Sequence, residues 1–186
     1  KLGLDYKTQS GNLFYGSISR GYRGNAFNAQ GYFFPNELNV AKPETVTAAE
    51  LGFKAQSPGR RLTINGAVFH YAYKNQQALD VNPNTLVQTL VNIGKSRILG
   101  GELELVVRAV EKVRINLGVG LLDTRIKTGQ VSGVNLAGNE LPNAPKVSVS
   151  AGVECDVMDT DAGRVTLGVN GSSVSKQYFE IFNTDR

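Results

Sequence analysis

Apolar and polar side chains alternate with a period of two in several runs along this chain. In one run, Leu103, Leu105 and Val107 occupy every second position, and Glu102 and Glu104 stand on intervening positions. Successive side chains of a β-strand point to opposite faces of the sheet, so this spacing predicts strands with one apolar face and one polar or small face. The same alternation returns within residues 62–68, 115–121, 147–153 and 165–169.

Turn residues divide the alternating pattern into about eight predicted strands, which comprise residues 2–6, 13–20, 47–56, 62–74, 98–107, 114–125, 146–156 and 164–172. Short turns such as Ser57-Pro58-Gly59-Arg60, with Pro and Gly where a tight turn needs them, join the strands of each pair. Long connections over residues 21–46, 75–91 and 126–143 join one pair to the next. Short turns on one rim and long loops on the other are typical of a membrane β-barrel.

The strand lengths and the aromatic residues agree with a barrel. The later strands run about 10 to 13 residues, against about five or six in globular sheets, and a strand tilted near 45° needs about 9 to 11 residues to cross a bilayer. Aromatic residues gather near the long-loop ends of two segments: Phe69, Tyr71, Tyr73, Tyr178, Phe179 and Phe182. We predict that they form an interfacial girdle, with ordinary strand formation as the alternative.

Composition excludes several other classes of protein. The 186 residues are 41% hydrophobic, and no stretch approaches the roughly 18 apolar residues of a transmembrane helix. The net charge of +4 is spread out without a Lys/Arg block, so we predict no nucleic-acid partner. The one cysteine, Cys155, excludes an internal disulfide. Because the chain opens at Lys1 inside a predicted strand and stops at Arg186 without a closing element, we interpret it as a piece of a longer polypeptide.

Residues that could carry catalysis are few. Gly94-Lys95-Ser96 is similar to the end of a phosphate-binding loop, but Thr89 stands where that loop needs Gly, and a β pattern follows instead of a helix. His70 is the one histidine, so it has no partner for a His-based metal site. Glu102 and Glu104 are paired carboxylates on a regular strand, which favours a polar wall over acid–base chemistry. We therefore predict no enzymatic activity, no metal site and no cofactor.

Short motifs follow one another in a fixed order along the chain. They are Ser19-Arg20-Gly21-Tyr22-Arg23, Pro43-Glu44-Thr45-Val46, Glu50-Leu51-Gly52-Phe53-Lys54, Asn75-Gln76-Gln77, Asn92-Ile93-Gly94-Lys95-Ser96-Arg97, Gly100-Gly101-Glu102-Leu103-Glu104 and Gly138-Asn139-Glu140-Leu141-Pro142-Asn143-Ala144-Pro145. Each motif alone is weak. In this order and spacing, over nearly the whole chain, they resemble the barrel signatures of TonB-dependent outer-membrane receptors.

This resemblance implies an all-β fold, an antiparallel up-and-down meander that forms about eight strands of a transmembrane β-barrel of about 22 strands. It also implies a location in the bacterial outer membrane, with membrane lipid around the barrel and the family's plug domain inside it. Residues 1–186 are then a fragment of the barrel domain. The plug domain, its TonB-contacting box and the closing strands are expected outside the fragment.

The resemblance further implies active transport of a scarce solute, such as a ferric siderophore, cobalamin or an oligosaccharide, with energy passed from TonB through the plug. The ligand is then a small molecule or a metal chelate, and the loops are expected to bind it through Arg20, Tyr22, Arg23, Phe27, Tyr32, Lys74, Gln76 and Gln77. Concave surfaces rich in aromatic residues and Arg suit organic or anionic ligands. The alternative is that these residues shape the loops and pack at the membrane interface.

Charged residues on the predicted strands set the expected orientation of the wall. Glu50 and Lys54 share one face opposite Leu51, and Glu102 and Glu104 likewise oppose apolar neighbours. A charge on the lipid face of a barrel costs about 2 to 4 kcal/mol at the midplane. We therefore predict that these four side chains face the lumen, where they could meet the plug. A solvated face of a one-sided sheet is the alternative.

Two other function classes stay open at this point. A passive porin-like channel shares the wall pattern but has no plug domain. A soluble β-sandwich binding module has its apolar faces buried against a second sheet.

Overall fold

Most of the chain forms one antiparallel sheet in the computed structural model, which describes residues 1–28, 40–81, 88–161 and 163–184. The strands are β1 (Leu2–Lys7), β2 (Leu13–Arg23), β3 (Ala26–Phe27), β4 (Val40–Ala41), β5 (Glu44–Gln56), β6 (Leu62–Val81), β7 (Gln88–Val110), β8 (Val113–Thr128), β9 (Gln130–Val131), β10 (Val134–Asn135), β11 (Val147–Thr160) and β12 (Gly163–Val174). The sheet has the order β1-β2-β5-β6-β7-β8-β11-β12. Each sheet strand therefore pairs with the next one along the chain, as in an up-and-down meander.

The predicted alternation of short turns and long connections is confirmed except at the second long connection. Short turns join β1 to β2, β5 to β6, β7 to β8 and β11 to β12, and the connections after β2, β6 and β8 lie at the other end of the sheet. The connection after β6 comprises only residues 82–87, so the prediction of a long loop there is wrong. The turn between β5 and β6 is a 3-10 turn over Pro58–Arg60, in which Gly59 has a φ of 73°. Glycine adopts this left-handed region without steric cost. No helix in the described ranges is long and apolar enough to cross a membrane.

Two strands continue well beyond the predicted ends. β6 has 20 residues and β7 has 23, so much of the segment predicted as a long loop over residues 75–91 is paired strand. The ladder continues from Gln76 opposite Ile93 to Leu79 opposite Leu90. A strand needs about 9 to 11 residues to cross a bilayer, so this hairpin extends past a membrane-sized span. There the residues no longer alternate, which is why the sequence pattern did not predict it.

The register gives the sheet one continuous apolar face. Leu51 pairs with Val68, Val68 with Gly101, Gly101 with Leu121, and Leu121 with Val147, and cross-strand partners point to the same side of a sheet. These apolar side chains are exposed, with Leu51 66% and Val68 58% accessible. In the part of the chain that the structure describes, no second sheet layer covers this face. The β-sandwich interpretation requires such a layer and gains no support.

The buried core lies at the long-loop end rather than within the sheet. The third connection, which carries the β9–β10 ladder, folds back so that Ile126, Leu136 and Leu141 become buried. The backbone N–H of Leu141 donates to the Thr124 hydroxyl of β8 at 3.0 Å. The cluster is completed by Ile93, Val131, Ala144 and Ile181. This connection is therefore packed against the sheet, although its Gly- and Asn-rich sequence predicted only a long loop.

The predicted aromatic girdle is wrong for the residues of β6. Phe69 pairs with Glu50, and Tyr71 and Tyr73 follow it on the same side, so all three lie on the polar face. The rings of Phe69 and Tyr71 stack with centroids 5.0 Å apart. Clustering near a strand end suggested the girdle, but period-two parity decides the face.

The aromatic residues after β12 also differ from the expectation. Tyr178, Phe179 and Phe182 follow the last strand in a segment without regular secondary structure. Phe182 packs against the buried cluster, whereas Phe179 is exposed.

We predict that Leu103→Arg destabilises the intact protein in lipid vesicles by about 2 to 4 kcal/mol, because Leu103 lies midway along the apolar face of β7 and charge there must leave water. Urea unfolding of protein refolded into vesicles measures the effect. The control is Glu102→Arg, which puts the same side chain one residue away on the polar face. Equal losses in both variants would contradict the assignment of the faces.

Candidate functional site

The polar face of the sheet combines carboxylates, a lysine and aromatic rings. Lys54, Asn65 and Glu104 are consecutive cross-strand partners, and the Asn65 amide donates to Glu104 at 3.4 Å. Glu102 lies two residues along the same side of β7, and Glu50 lies opposite Phe69. The structure thus places all four charged residues named from the sequence on one face, opposite the apolar one.

Aromatic rings on this face occupy the space beside two glycine residues. The Tyr15 ring covers Gly52 and the Phe69 ring covers Gly100, and a Cβ atom at either glycine would lie 2.4 Å from the ring. Any larger residue at these glycines therefore displaces the ring. The arrangement gives the polar face a set of fixed aromatic surfaces beside Glu50 and Glu102.

The ligand residues expected in the first loop separate onto two sides of the sheet. Arg20 and Tyr22 continue the side of β2 that carries the exposed Ile18, so they lie on the apolar side. Arg23 pairs with Glu44 on the polar side. The structure therefore does not bring these three residues together around one cavity.

The remaining expected ligand residues also occupy different surroundings. Phe27 lies in the β3–β4 ladder and is 78% accessible, and Tyr32 lies outside the described residues. Lys74 pairs with Lys95 on the apolar side of β6. Gln76 accepts a hydrogen bond from the Ser96 hydroxyl.

Gln77 anchors the first long connection. Its side-chain amide donates to the carbonyl oxygens of Gly24 at 2.8 Å and of Lys42 at 3.0 Å, and its backbone N–H donates to Glu44 at 2.6 Å. The side chain is buried, with its own carbonyl oxygen unpaired. These bonds join the base of the first connection to the β6–β7 hairpin.

Asn92 on β7 supports the same anchor. It accepts from the Lys42 backbone N–H at 2.7 Å and donates to the carbonyl oxygens of Lys42 at 3.0 Å and Asn75 at 2.8 Å. Both amide residues stand in motifs that the sequence analysis singled out. Their partners lie up to 53 residues away along the chain, so only the fold reveals their role.

A cleft of about 960 Å³ opens at the long-loop end, between the sheet and the segments that fold over it. Its walls include Ile98 and Leu122 from the sheet, Leu141 from the third connection, and Phe182. The lining also carries polar groups, among them the Gln76 amide and the carboxylates Asp80 and Glu180. Apolar walls with placed polar groups are the usual lining of a site for an organic ligand.

The short-turn end of the sheet carries self-balanced charges. Arg114 forms an ion pair with Glu154, and Arg164 contacts Asp159 at 3.1 Å and Asp156 at 3.7 Å. The hydrogen bond to Asp159 raises the pKa of the exposed Arg164 guanidinium. Within the described ranges, no group of three or more His, Cys, Asp or Glu side chains is arranged to hold a metal ion.

Comparison with known protein families identifies the family to which this sheet belongs. A family model described as "TonB dependent receptor-like, beta-barrel" matches residues 1–181. The chain belongs to this family. TonB-dependent receptors are proteins of the Gram-negative outer membrane, so the short turns of the sheet lie on the periplasmic rim and the long connections on the extracellular one.

Individual relatives agree with the family. The probable TonB-dependent receptor BfrD of Bordetella pertussis is 29% identical over 153 residues, which are 81% of this chain and 20% of that protein. The ferric yersiniabactin uptake receptor FyuA of Yersinia pestis has a similar structure, with a TM-score of 0.78 at 20% identity over 98% of this chain and 26% of that one. BauA, the ferric preacinetobactin receptor of Acinetobacter baumannii, has a TM-score of 0.69 at 23% identity, with the same coverage.

These matches show the same partial barrel in longer proteins. The chain spans about a fifth of the curated relative and about a quarter of each solved structure. The predicted fold, an antiparallel meander forming part of a TonB-dependent barrel, is confirmed. The porin-like alternative finds no support among the relatives.

We predict that Gln77→Ala loosens the base of the first extracellular connection without unfolding the barrel. Two partly buried hydrogen bonds, to the carbonyl oxygens of Gly24 and Lys42, are lost. Each is worth about 0.5 to 1.5 kcal/mol, so amide exchange at residues 24–28 and 40–44 should accelerate about tenfold or more. Hydrogen-exchange mass spectrometry of the intact receptor measures it. Leu79→Ala, at an exposed residue of the same strand, is the control and should leave the exchange unchanged.

Proposed function

We propose that the protein is an active outer-membrane transporter of ferric siderophores, to which this chain contributes barrel wall and extracellular connections. The observation that carries the proposal is the family match over residues 1–181. FyuA and BauA are named as receptors for ferric yersiniabactin and ferric preacinetobactin, and the similarity to them supports a ferric chelate as the ligand over cobalamin or an oligosaccharide. In this proposal the plug domain and the closing strands of a barrel of about 22 strands lie outside residues 1–186, and TonB acts through the plug.

In this proposal the polar face of the sheet lines the lumen and meets the plug. Glu50, Lys54, Glu102 and Glu104 share that face, and the opposite face is apolar and exposed. Charge is tolerated in a barrel lumen and is costly on the lipid side. The carboxylates and aromatic rings are then available to a plug surface with hydrogen-bond donors.

Ligand contact is best supported on the polar side of the extracellular end. Arg23 lies on that side, and Gln76 borders the cleft beneath the third connection. A guanidinium group suits an anionic chelate, and the apolar cleft walls suit its organic framework. Arg20, Tyr22 and Lys74 continue the apolar side of the sheet, so they are weaker candidates for ligand contact in this proposal. Phe27 and Tyr32 stay as predicted contacts from the first connection.

Uptake measurements on whole cells test the transport proposal. Cells that express the receptor should accumulate iron from at least one of a panel of ⁵⁵Fe-loaded hydroxamate, catecholate and phenolate siderophores, and cells with the gene deleted should not. Because energy has to reach the plug from the inner membrane, a protonophore should abolish this uptake. Protonophore-resistant uptake would instead indicate a passive channel. Failure of the whole panel would exclude these classes of siderophore.

Cysteine labelling tests the orientation of the wall. In a Cys155→Ser background with the plug deleted, cysteine introduced by Glu102→Cys should react with a water-soluble maleimide in intact outer membranes, because the open lumen contains water. Cysteine introduced by Leu103→Cys should stay unlabelled, because its neighbours face lipid. Labelling of the second variant but not the first would reverse the assignment of the two faces.

A further inference from the structure

Four basic side chains lie together on the lipid side of the sheet at its extracellular end. This outer basic cluster consists of Lys74 on β6, Lys95 and Arg97 on β7, and Arg125 on β8. Lys74 is the direct partner of Lys95, and Arg97 is the direct partner of Arg125. Partners lie about 5 Å apart, and same-side neighbours along a strand about 7 Å apart. The four cations therefore occupy one compact patch.

The cluster begins where the apolar face ends. Arg97 is two residues from Leu99 on the same side of β7, and Lys74 is two residues from Ala72 on the same side of β6. On β8, Arg125 is four residues from Leu121. The patch therefore lies just above the lipid-facing surface, at the level where headgroups replace acyl chains.

Both cross-strand pairs in the cluster join like charges. Such pairs destabilise a sheet unless something neutralises them. The nearest carboxylate on this side is Asp123, which is bound to Arg97. Among the described residues, no carboxylate forms an ion pair with Lys74, Lys95 or Arg125, and all three are exposed.

A like-charge pair at the periplasmic end has one carboxylate partner supplied by the sheet. Arg108 is the direct partner of Arg114 on the polar side, and there the sheet supplies Glu154, which pairs with Arg114. Asp156 lies on the same concave surface. The outer Arg97–Arg125 pair likewise has one carboxylate, Asp123. The Lys74–Lys95 pair has no ion-paired carboxylate among the described residues, so the outer basic cluster keeps a net positive charge that anions from its surroundings can neutralise.

We propose that the outer basic cluster binds the phosphate groups of lipopolysaccharide in the outer leaflet of the membrane. Phosphate groups are the anions that a lipid leaflet presents at headgroup level, and basic side chains beside a membrane span are attracted to anionic headgroups. Arg125 offers a planar, two-pronged donor to phosphate oxygens, and Lys74 and Lys95 act as compact point charges. Arg97, held by Asp123, sets the lower edge of the site.

The test removes the three unpaired charges from the intact receptor. The triple variant Lys74→Gln, Lys95→Gln, Arg125→Gln is purified from outer membranes in mild detergent, and native mass spectrometry counts the lipopolysaccharide molecules that remain bound. Titration with purified lipopolysaccharide then measures affinity. The control triple variant, Arg60→Gln, Arg61→Gln, Lys112→Gln, removes the same charge from exposed positions at the periplasmic turns.

The expected result is that the outer triple variant binds lipopolysaccharide at least tenfold more weakly than the wild type, and that the control binds normally. Dephosphorylated lipopolysaccharide should bind weakly to all three proteins. If the outer triple variant does not insert, as judged by heat-modifiable migration, the single variant Lys95→Gln provides the test, with a loss of about fivefold expected for one charge.

Three results would overturn the proposal. Equal affinity of the outer triple variant and the control would show that the cluster is not the site. Equal affinity of the wild type for phosphorylated and dephosphorylated lipopolysaccharide would remove phosphate as the recognised group. Inorganic phosphate that binds as tightly as lipopolysaccharide would assign the cluster to a free anion instead of a lipid.

Discussion

The structure depends on the pairing of backbone hydrogen-bonding groups between neighbouring strands. In lipid no water can satisfy an unpaired N–H or C=O group, so a membrane sheet has to keep its ladders continuous. The register of those ladders also decides which side chains meet lipid, because a slip of one residue moves every side chain to the other face. A slip on β7 would turn Glu102 and Glu104 to the side that now carries Leu103 and Leu105.

This constraint explains why the sheet has almost no core of its own. Its apolar face and its polar face have different surroundings. Side chains of the sheet become buried by other parts of the chain only where the strands extend beyond the membrane. There Ile126 and Leu136 are buried, and the third connection folds back against β8. Gln77 and Asn92 hold the first connection to the same hairpin. The loops are thus fixed at their bases by packing and by amide hydrogen bonds, as in a soluble domain.

The sequence predicted the features that follow from local periodicity. Eight strands, the order of turns and loops, and the shared face of Glu50 and Lys54 all follow from alternation with a period of two. The extension of β6 and β7 did not, because outside the membrane neither face has to be apolar. The role of Gln77 depends on partners far away in the chain, and a propensity for strands carries no such information. The prediction of an aromatic girdle is wrong because the parity of Phe69 and Tyr71 along β6, and not their clustering near a strand end, decides which face they occupy.

The similarity to FyuA shows that the barrel wall keeps its structure when most of its residues change. At 20% identity the two structures still share a TM-score of 0.78, because any residue of suitable polarity satisfies most wall positions. A specific residue type is required only where the geometry excludes the others, as at Gly52 and Gly100, where an aromatic ring occupies the space of a side chain. The anchors at the loop bases stabilise the first connection without prescribing its outer part. Such a wall permits the loops to diverge in sequence while the fold is retained.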